Sequence, residues 1–157
     1  MKTLQMKGAA LDAVDVALIQ ALTENARLSM RDLAGRVSMS APSVTERVRR
    51  LEDVGVLRGF TVDLDSKALG YGLQAIVRIK PLPGQLHKVE ELIRKIPQCV
   101  ECDKVTGEDC FIARFCVADI DSLDGLLDAV ADRAETNTAI VKATPVPRRL
   151  PPLPVGR

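Results

Sequence analysis

The sequence predicts an α+β protein in two parts: an N-terminal helix-turn-helix domain, winged-helix-like, over residues 1–62, and a C-terminal ferredoxin-like βαββαβ domain over residues 73–147. Three observations predict this. Short apolar stripes with helical spacing, each set off by capping residues, fill the first part. Alternating apolar and polar residues from Leu73 onward read strand, helix, strand, strand, helix, strand. The chain has 157 residues, enough for two small domains, and 46% of them are apolar, enough to fill their cores.

The first helix runs from about Asp12 to Glu24. Val14, Leu18, Ile19 and Leu22 make its stripe, Asp12 can cap it and Asn25-Ala26-Arg27 ends it. The second starts at an N-cap, Ser29, with Asp32 three residues on. Leu28 and Leu33 are placed for a hydrophobic staple, and Leu33 and Val37 face inward. The third starts at the N-cap Ser40, with Pro42 in its first turn, where a missing N–H costs nothing. Val44, Val48 and Leu51 form its stripe, and Gly55 supplies the left-handed residue that stops it, with Leu51 and Val56 meeting across the end.

The free face of the third helix carries Ser43, Thr45, Glu46, Arg47, Arg49 and Arg50 behind the Ser40 cap. Small hydroxyls come early and arginines late, and Ser43, Arg47 and Arg50 share a stripe. Such residues suit close approach to base edges followed by contact with phosphates and guanines in a major groove. Arg27, Arg31, Arg36 and Arg58 add positive charge nearby. The plainer reading is a solvated face whose arginines pair with Glu46, Glu52 and Asp53. Val56–Leu64 then reads as one or two short strands, a wing or a connection, and residues 63–72 as a linker of turn composition.

In the second part Leu73, Ala75, Val77 and Ile79 form the buried face of a strand, which Pro81-Leu82-Pro83-Gly84 ends. A helix with Leu86, Val89, Leu92, Ile93 and Ile96 inward stops at Pro97. A strand over Val100–Thr106, a hairpin turn at Gly107-Glu108-Asp109 and a strand over Cys110–Val117 follow. Asp119 caps a helix with Leu123, Leu126, Leu127 and Val130 on its core face, and the last strand is expected over Thr138–Val146. With both helices on one face, Ile76, Ile112, Cys116 and Ile140 are left on the other. A homodimer through that face is the natural cover. The proline-rich tail, 148–157, can form neither helix nor central strand and reads as an extended or disordered end.

Composition narrows the function classes. No apolar run approaches a membrane span and residues 1–7 lack a signal-peptide core, so cytoplasmic residence without membrane contact is expected. Aromatic residues at 3% are too few for a platform that stacks single-stranded bases. Cys99-x-x-Cys102 has no second such pair and no neighbouring histidine, so no metal and no cofactor are expected. No nucleophile–base grouping or phosphate-binding glycine motif appears, which disfavours an enzyme. A module that binds protein rather than DNA remains the rival reading, and salt dependence of binding separates the two.

Leu11-Asp12-Ala13-Val14-Asp15, Asn25-Ala26-Arg27-Leu28-Ser29, Glu46-Arg47-Val48-Arg49-Arg50-Leu51-Glu52, Gly55-Val56-Leu57-Arg58-Gly59-Phe60 and Val105-Thr106-Gly107-Glu108-Asp109 together resemble the Lrp/AsnC, or feast/famine, family of transcription regulators, from about Leu11 to Pro147. The resemblance implies a regulator of double-stranded DNA that dimerises through the ferredoxin-like domain, with dimers often gathering into octameric discs. It also implies an amino-acid effector bound near the hairpin. By position that site takes in Gly107, Glu108, Asp109 and Cys110, with Thr136, Thr138 and Ala139 from the start of the last strand. The family hairpin often reads Gly-Asp-Tyr-Asp, and here its second acidic position is Cys110.

Overall fold

The computed structural model describes residues Leu11–Pro154. It contains α1 (Ala13–Glu24), α2 (Met30–Val37), α3 (Ala41–Asp53), β1 (Leu73–Pro81), α4 (Leu86–Arg94), β2 (Cys99–Lys104), β3 (Phe111–Val117), α5 (Ile120–Leu127) and β4 (Ala134–Ile140). Two units result: residues up to Val62 together with those from Arg148 onward, and Asp63–Pro147.

In the first unit local chemistry sets each helix boundary. Asp12 and Ser29 each accept from the backbone N–H three residues on, and Asp15 and Asp32 reach back to the cap N–H, so two reciprocal capping boxes start α1 and α2. Ser38 takes a left-handed backbone, φ 54°, which closes α2 and lets Met39 N–H bond to the Ala34 carbonyl at 3.1 Å. Ser40 caps α3. At its far end Gly55, φ 74°, donates to Glu52 O and Val56 donates to Leu51 O, both at 2.9 Å, the paired bonds of a Schellman stop. Leu18, Ala21, Leu22, Leu33, Ala34, Val44 and Val48 fill the core among the three helices.

A second apolar cluster, Leu11, Val16, Ile19 and Leu51, is closed by Val56, Leu57 and Leu153. Of the tail expected to be an extended or disordered end, residues 148–154 form neither helix nor strand, and Leu153 packs on this unit. The strands expected over Val56–Leu64 do not form, because no strand pairs with this segment, and Phe60, Val62 and Leu64 are exposed. Among the described residues no wing strand accompanies the three helices.

The second unit has the βαββαβ order and one antiparallel sheet in the order β2-β3-β1-β4. Ala75, Val77 and Ile79 of β1 and Phe111, Ala113, Phe115 and Val117 of β3 face Val89 and Ile93 of α4 and Leu123 and Leu127 of α5. Val130 also reaches this core, from the turn after α5. β4 begins at Ala134, four residues before the expected Thr138, and stops at Ile140. It is defined by pairing with β1, whose last residue, Pro81, lies opposite Ala134 and whose Ala75 lies opposite Ile140. The same register corrects the open face: Ile140 shares the helix side with Ala75. Ile76 and Ile112 lie on the open face among Arg78, Lys80 and Arg114, as does Cys116 opposite Gln74.

Candidate functional site

The third helix presents its free face over a shallow groove of about 600 Å³ lined by Met39, Pro42, Ser43, Glu46, Arg47, Arg50 and Asp53. The hydroxyls at its start are partly engaged. Ser40 Oγ lies 2.7 Å from Ser43 Oγ, and Thr45 Oγ1 donates to Ala41 O at 2.9 Å. Glu46 is exposed and enters no ion pair among the described residues.

The arginines divide into two groups. Arg47 Nη1 donates to Asp12 Oδ2 at 2.6 Å and to Asp15 Oδ1 at 3.0 Å, and Arg50 Nη2 donates to Asp15 Oδ2 at 2.5 Å. Asp15 is the buried charged residue of the described chain, its side chain 1% exposed. Burial pushes its carboxyl up. The hydrogen bond from Arg50, the Asp12 backbone N–H and the bond from Arg47 outweigh burial and hold it below the usual carboxylate value. Asp12 is lowered as well, first by the Asp15 backbone N–H and then by Arg47. The stripe expected to offer Ser43, Arg47 and Arg50 together is therefore bolted at its two arginines to the first turn of α1.

Arg49, on the neighbouring flank, is exposed and enters no ion pair or side-chain hydrogen bond among the described residues. The same is true of Arg27, Arg31 and Arg58, whereas Arg36 pairs with Glu24 at 3.0 Å. From Leu11 to Val62 seven arginines stand against seven acidic residues, so this stretch carries no net charge.

The second candidate site lies at the β2–β3 hairpin. Val105 N–H donates to Cys110 O at 2.7 Å, closing a loop in which Gly107 (φ 114°) and Cys110 (φ 58°) both need positive φ. Only glycine adopts the first without strain. Asp109 Oδ2 lies 3.9 Å from Arg78 Nε and Glu108 Oε2 lies 3.6 Å from Lys80 Nζ. Arg78 Nη2 also donates to Asn137 Oδ1 at 3.0 Å, joining the hairpin to β4 across β1. Of the expected β4 residues, Ala139 lies opposite Ile76 on this open face. Thr136 and Thr138 lie opposite Ile79 and Val77, on the other side of the sheet. Arg78, Lys80 and Asn137 were missed from the sequence; their signal was the alternation of β1, which sets Arg78 and Lys80 on one face. The result is two cations and two carboxylates, all solvent-accessible, beside one another at the hairpin.

The Cys99/Cys102 pair owes its geometry to a bulge. An irregularity between Cys99 and Glu101 puts Cys99 opposite Phe115 and Cys102 opposite Ala113, both on the helix side. Burial, then the neighbouring Cys99, Asp103 and Glu90, push the Cys102 thiol up to about 11, so it is a thiol at neutral pH and a weak nucleophile. Among the described residues no three His, Cys, Asp or Glu side chains gather as metal ligands. No described helix is long and apolar enough to cross a membrane.

Comparison with known proteins adds the following. Residues 11–52 match the AsnC-type helix-turn-helix domain, and residues 74–151 match the Lrp/AsnC ligand binding domain. The HTH-type transcriptional regulator LrpA of Mycobacterium tuberculosis is 33% identical over 130 residues, covering 82% of this chain and 87% of that protein. The Bkd operon transcriptional regulator of Pseudomonas aeruginosa is 31% identical over 152 residues, covering 92% and 99%. The structure of Bacillus subtilis LrpC superposes with a TM-score of 0.83 at 28% identity, covering 88% of this chain and 99% of that one. A feast or famine regulatory protein from M. tuberculosis, solved in complex with L-methionine, superposes with a TM-score of 0.79 at 31% identity, covering 90% and 98%.

Proposed function

This chain belongs to the Lrp/AsnC family of transcriptional regulators, and we propose that it reads double-stranded DNA by sequence through α3 and answers to an amino acid at the β2–β3 hairpin. It is a helix-turn-helix regulator and not an enzyme. The observation that carries the finer reading is the state of α3. Capped by Ser40 and fixed through Arg47 and Arg50 to Asp15, it is a rigid helix with Ser43, Thr45, Glu46 and Arg49 on its exposed surface. A rigid element positions base-contacting groups better than a mobile one. Ser43 and Glu46 suit base edges, and Arg49 suits a phosphate or a guanine.

For the effector, Arg78 and Lys80 would take the carboxylate of an amino acid, and Asp109 and Glu108 its ammonium. The pairs these groups make with one another are exposed and weak, so a ligand can exchange into them at little cost. The L-methionine complex of the M. tuberculosis relative supports this chemical class. Cys110 stands where the family hairpin often has its second acidic residue, and here Glu108 and Asp109 supply the two carboxylates from adjacent positions. Ile76 and Ile112, on the same open face, support a homodimer through the sheet. Ligand-dependent assembly would change how many DNA-binding units engage one duplex, and so the avidity. We place its work in the cytoplasm.

The test is a titration on duplex DNA from upstream of its own gene at two salt concentrations, beside a Ser43→Ala/Arg49→Ala double variant. Salt-sensitive binding that the variant weakens is expected. If neither this fragment nor any duplex from random-sequence selection binds, the reading fails. Thermal unfolding with a pool of amino acids is expected to show a rise that Arg78→Ala removes.

A further inference from the structure

Beyond β4 the chain runs exposed from Lys142 through Pro152, and Leu153 is the first residue to withdraw from solvent. It packs on the cluster of Leu11, Val16, Ile19 and Leu51, with Val56 and Leu57 at the rim. Leu150 and Val146, of similar character, stay 53% and 59% exposed, so the contact is selective for one leucine in the segment. The sequence before it, Pro145-Val146-Pro147-Arg148-Arg149-Leu150-Pro151-Pro152, is stiff. Proline holds such a segment extended and lowers the entropy lost on docking.

The segment also carries charge that the helices lack. Leu11–Val62 is balanced, whereas Arg148 and Arg149 add two positive charges to the same unit. Both are exposed, and neither enters an ion pair or a side-chain hydrogen bond among the described residues. A cluster of two unpaired guanidinium groups on a unit whose partner is a polyanion has an evident ligand.

We propose that residues 148–154 form a DNA-contacting arm: Leu153 anchors it to the DNA-binding unit, and Arg148 and Arg149 bind backbone phosphates beside the duplex segment that α3 reads. Anchoring matters because an untethered arm would lose several residues of chain entropy on each encounter. The arm reads no sequence. It raises affinity for all duplexes alike and steepens the salt dependence.

The proposal rests on the DNA-binding reading above, and the experiment separates the two. The full-length chain, Arg148→Ala/Arg149→Ala, Leu153→Ser and the conservative Leu153→Met are titrated on cognate and unrelated duplexes over a range of salt. Native binding that steepens at low salt upholds the DNA-binding reading; its absence removes both. Given that binding, the double arginine variant is expected to lower the slope of log affinity against log salt by about two per engaged unit, near 0.9 per phosphate contact, on both duplexes. Leu153→Ser is expected to weaken both duplexes by roughly three- to tenfold, the entropy of leaving side chains unordered. Leu153→Met should bind like the native chain. Amide exchange in α1 and α3 tells a folded Leu153→Ser unit from an unfolded one. An unchanged slope in the arginine variant, or native-like binding by Leu153→Ser, overturns the proposal. So does a loss confined to the cognate duplex, which would make the arm a sequence reader.

Discussion

Replacing Asp15 by Asn tests whether the buried carboxylate is what fixes α3. In the native unit Asp15 receives Arg47, Arg50 and the Asp12 N–H, and its side chain is 1% exposed. Asn keeps the shape and one acceptor oxygen but no charge. Breaking a fully buried ion pair by removing one partner costs about 3–5 kcal/mol. Here the orphaned guanidinium groups are 28% and 48% exposed and can rehydrate. A loss of about 2 kcal/mol, or roughly thirtyfold in the folding equilibrium, is therefore expected at neutral pH. The assay is urea unfolding of both chains followed by helix signal, from pH 7 to pH 3. Because the folded carboxyl titrates below its unfolded value, the native advantage is complete above the ordinary Asp range near ~3.9. It closes as pH falls toward the lower folded value. Equal stability at pH 7, or a gap that persists undiminished at pH 3, would refute the reasoning. Freeing Arg47 and Arg50 should also strengthen binding to unrelated DNA and steepen its salt dependence, so the preference for cognate sequence falls.

Arg49→Ala should leave unfolding unchanged, because Arg49 has no partner among the described residues, and lower the salt slope on DNA by about 0.9, whereas Arg47→Ala should reduce both stability and affinity. Gly55→Ala should destabilise the first unit by about 1 kcal/mol in urea titration. A Cβ there meets nothing within 4 Å, so the penalty is that of holding φ at 74° alone. Gly107→Ala, equally unobstructed but at φ 114°, should cost about 1–3 kcal/mol in the second unit and abolish the thermal shift given by an amino-acid pool.

What the sequence made legible was what short-range chemistry decides. Ser29 with Asp32, Ser40 and Gly55 act on partners within a few residues, and so the boundaries of α1, α2 and α3 could be read before any fold was known. Buried strands were equally legible: in β3 every second residue is apolar and nearly unexposed. β4 was not. Glu135, Thr136, Asn137, Thr138 and Ala139 are all exposed on an edge strand, so there is no alternation to detect. Only the ladder to β1, about sixty residues away in sequence, determines where it begins. Val56–Leu64 failed in the opposite way, since its alternation is present but no partner strand completes it.

The site residues divide along the same line. The hairpin could be identified because a turn needs Gly107 and polar neighbours whatever surrounds it. Arg78 and Asn137 could not, since only pairing across strands brings them beside the hairpin. The arginine stripe of α3 is the instructive case. Periodicity rightly put Arg47 and Arg50 on one face, but their partners were not legible, because Asp12 had been accounted for as a helix cap and Asp15 had been given no role. Each aspartate does both jobs: one oxygen or N–H partner is local, and the remaining acceptor capacity goes to an arginine more than thirty residues away. A carboxylate has room for about four hydrogen bonds, so a capping role never exhausts it. It follows that an acidic residue at the start of a first helix, followed by a cationic recognition helix, should be read as a candidate clamp as well as a cap. In this unit the clamp fixes Arg47 and Arg50 to the first turn of α1 while leaving them 28% and 48% exposed.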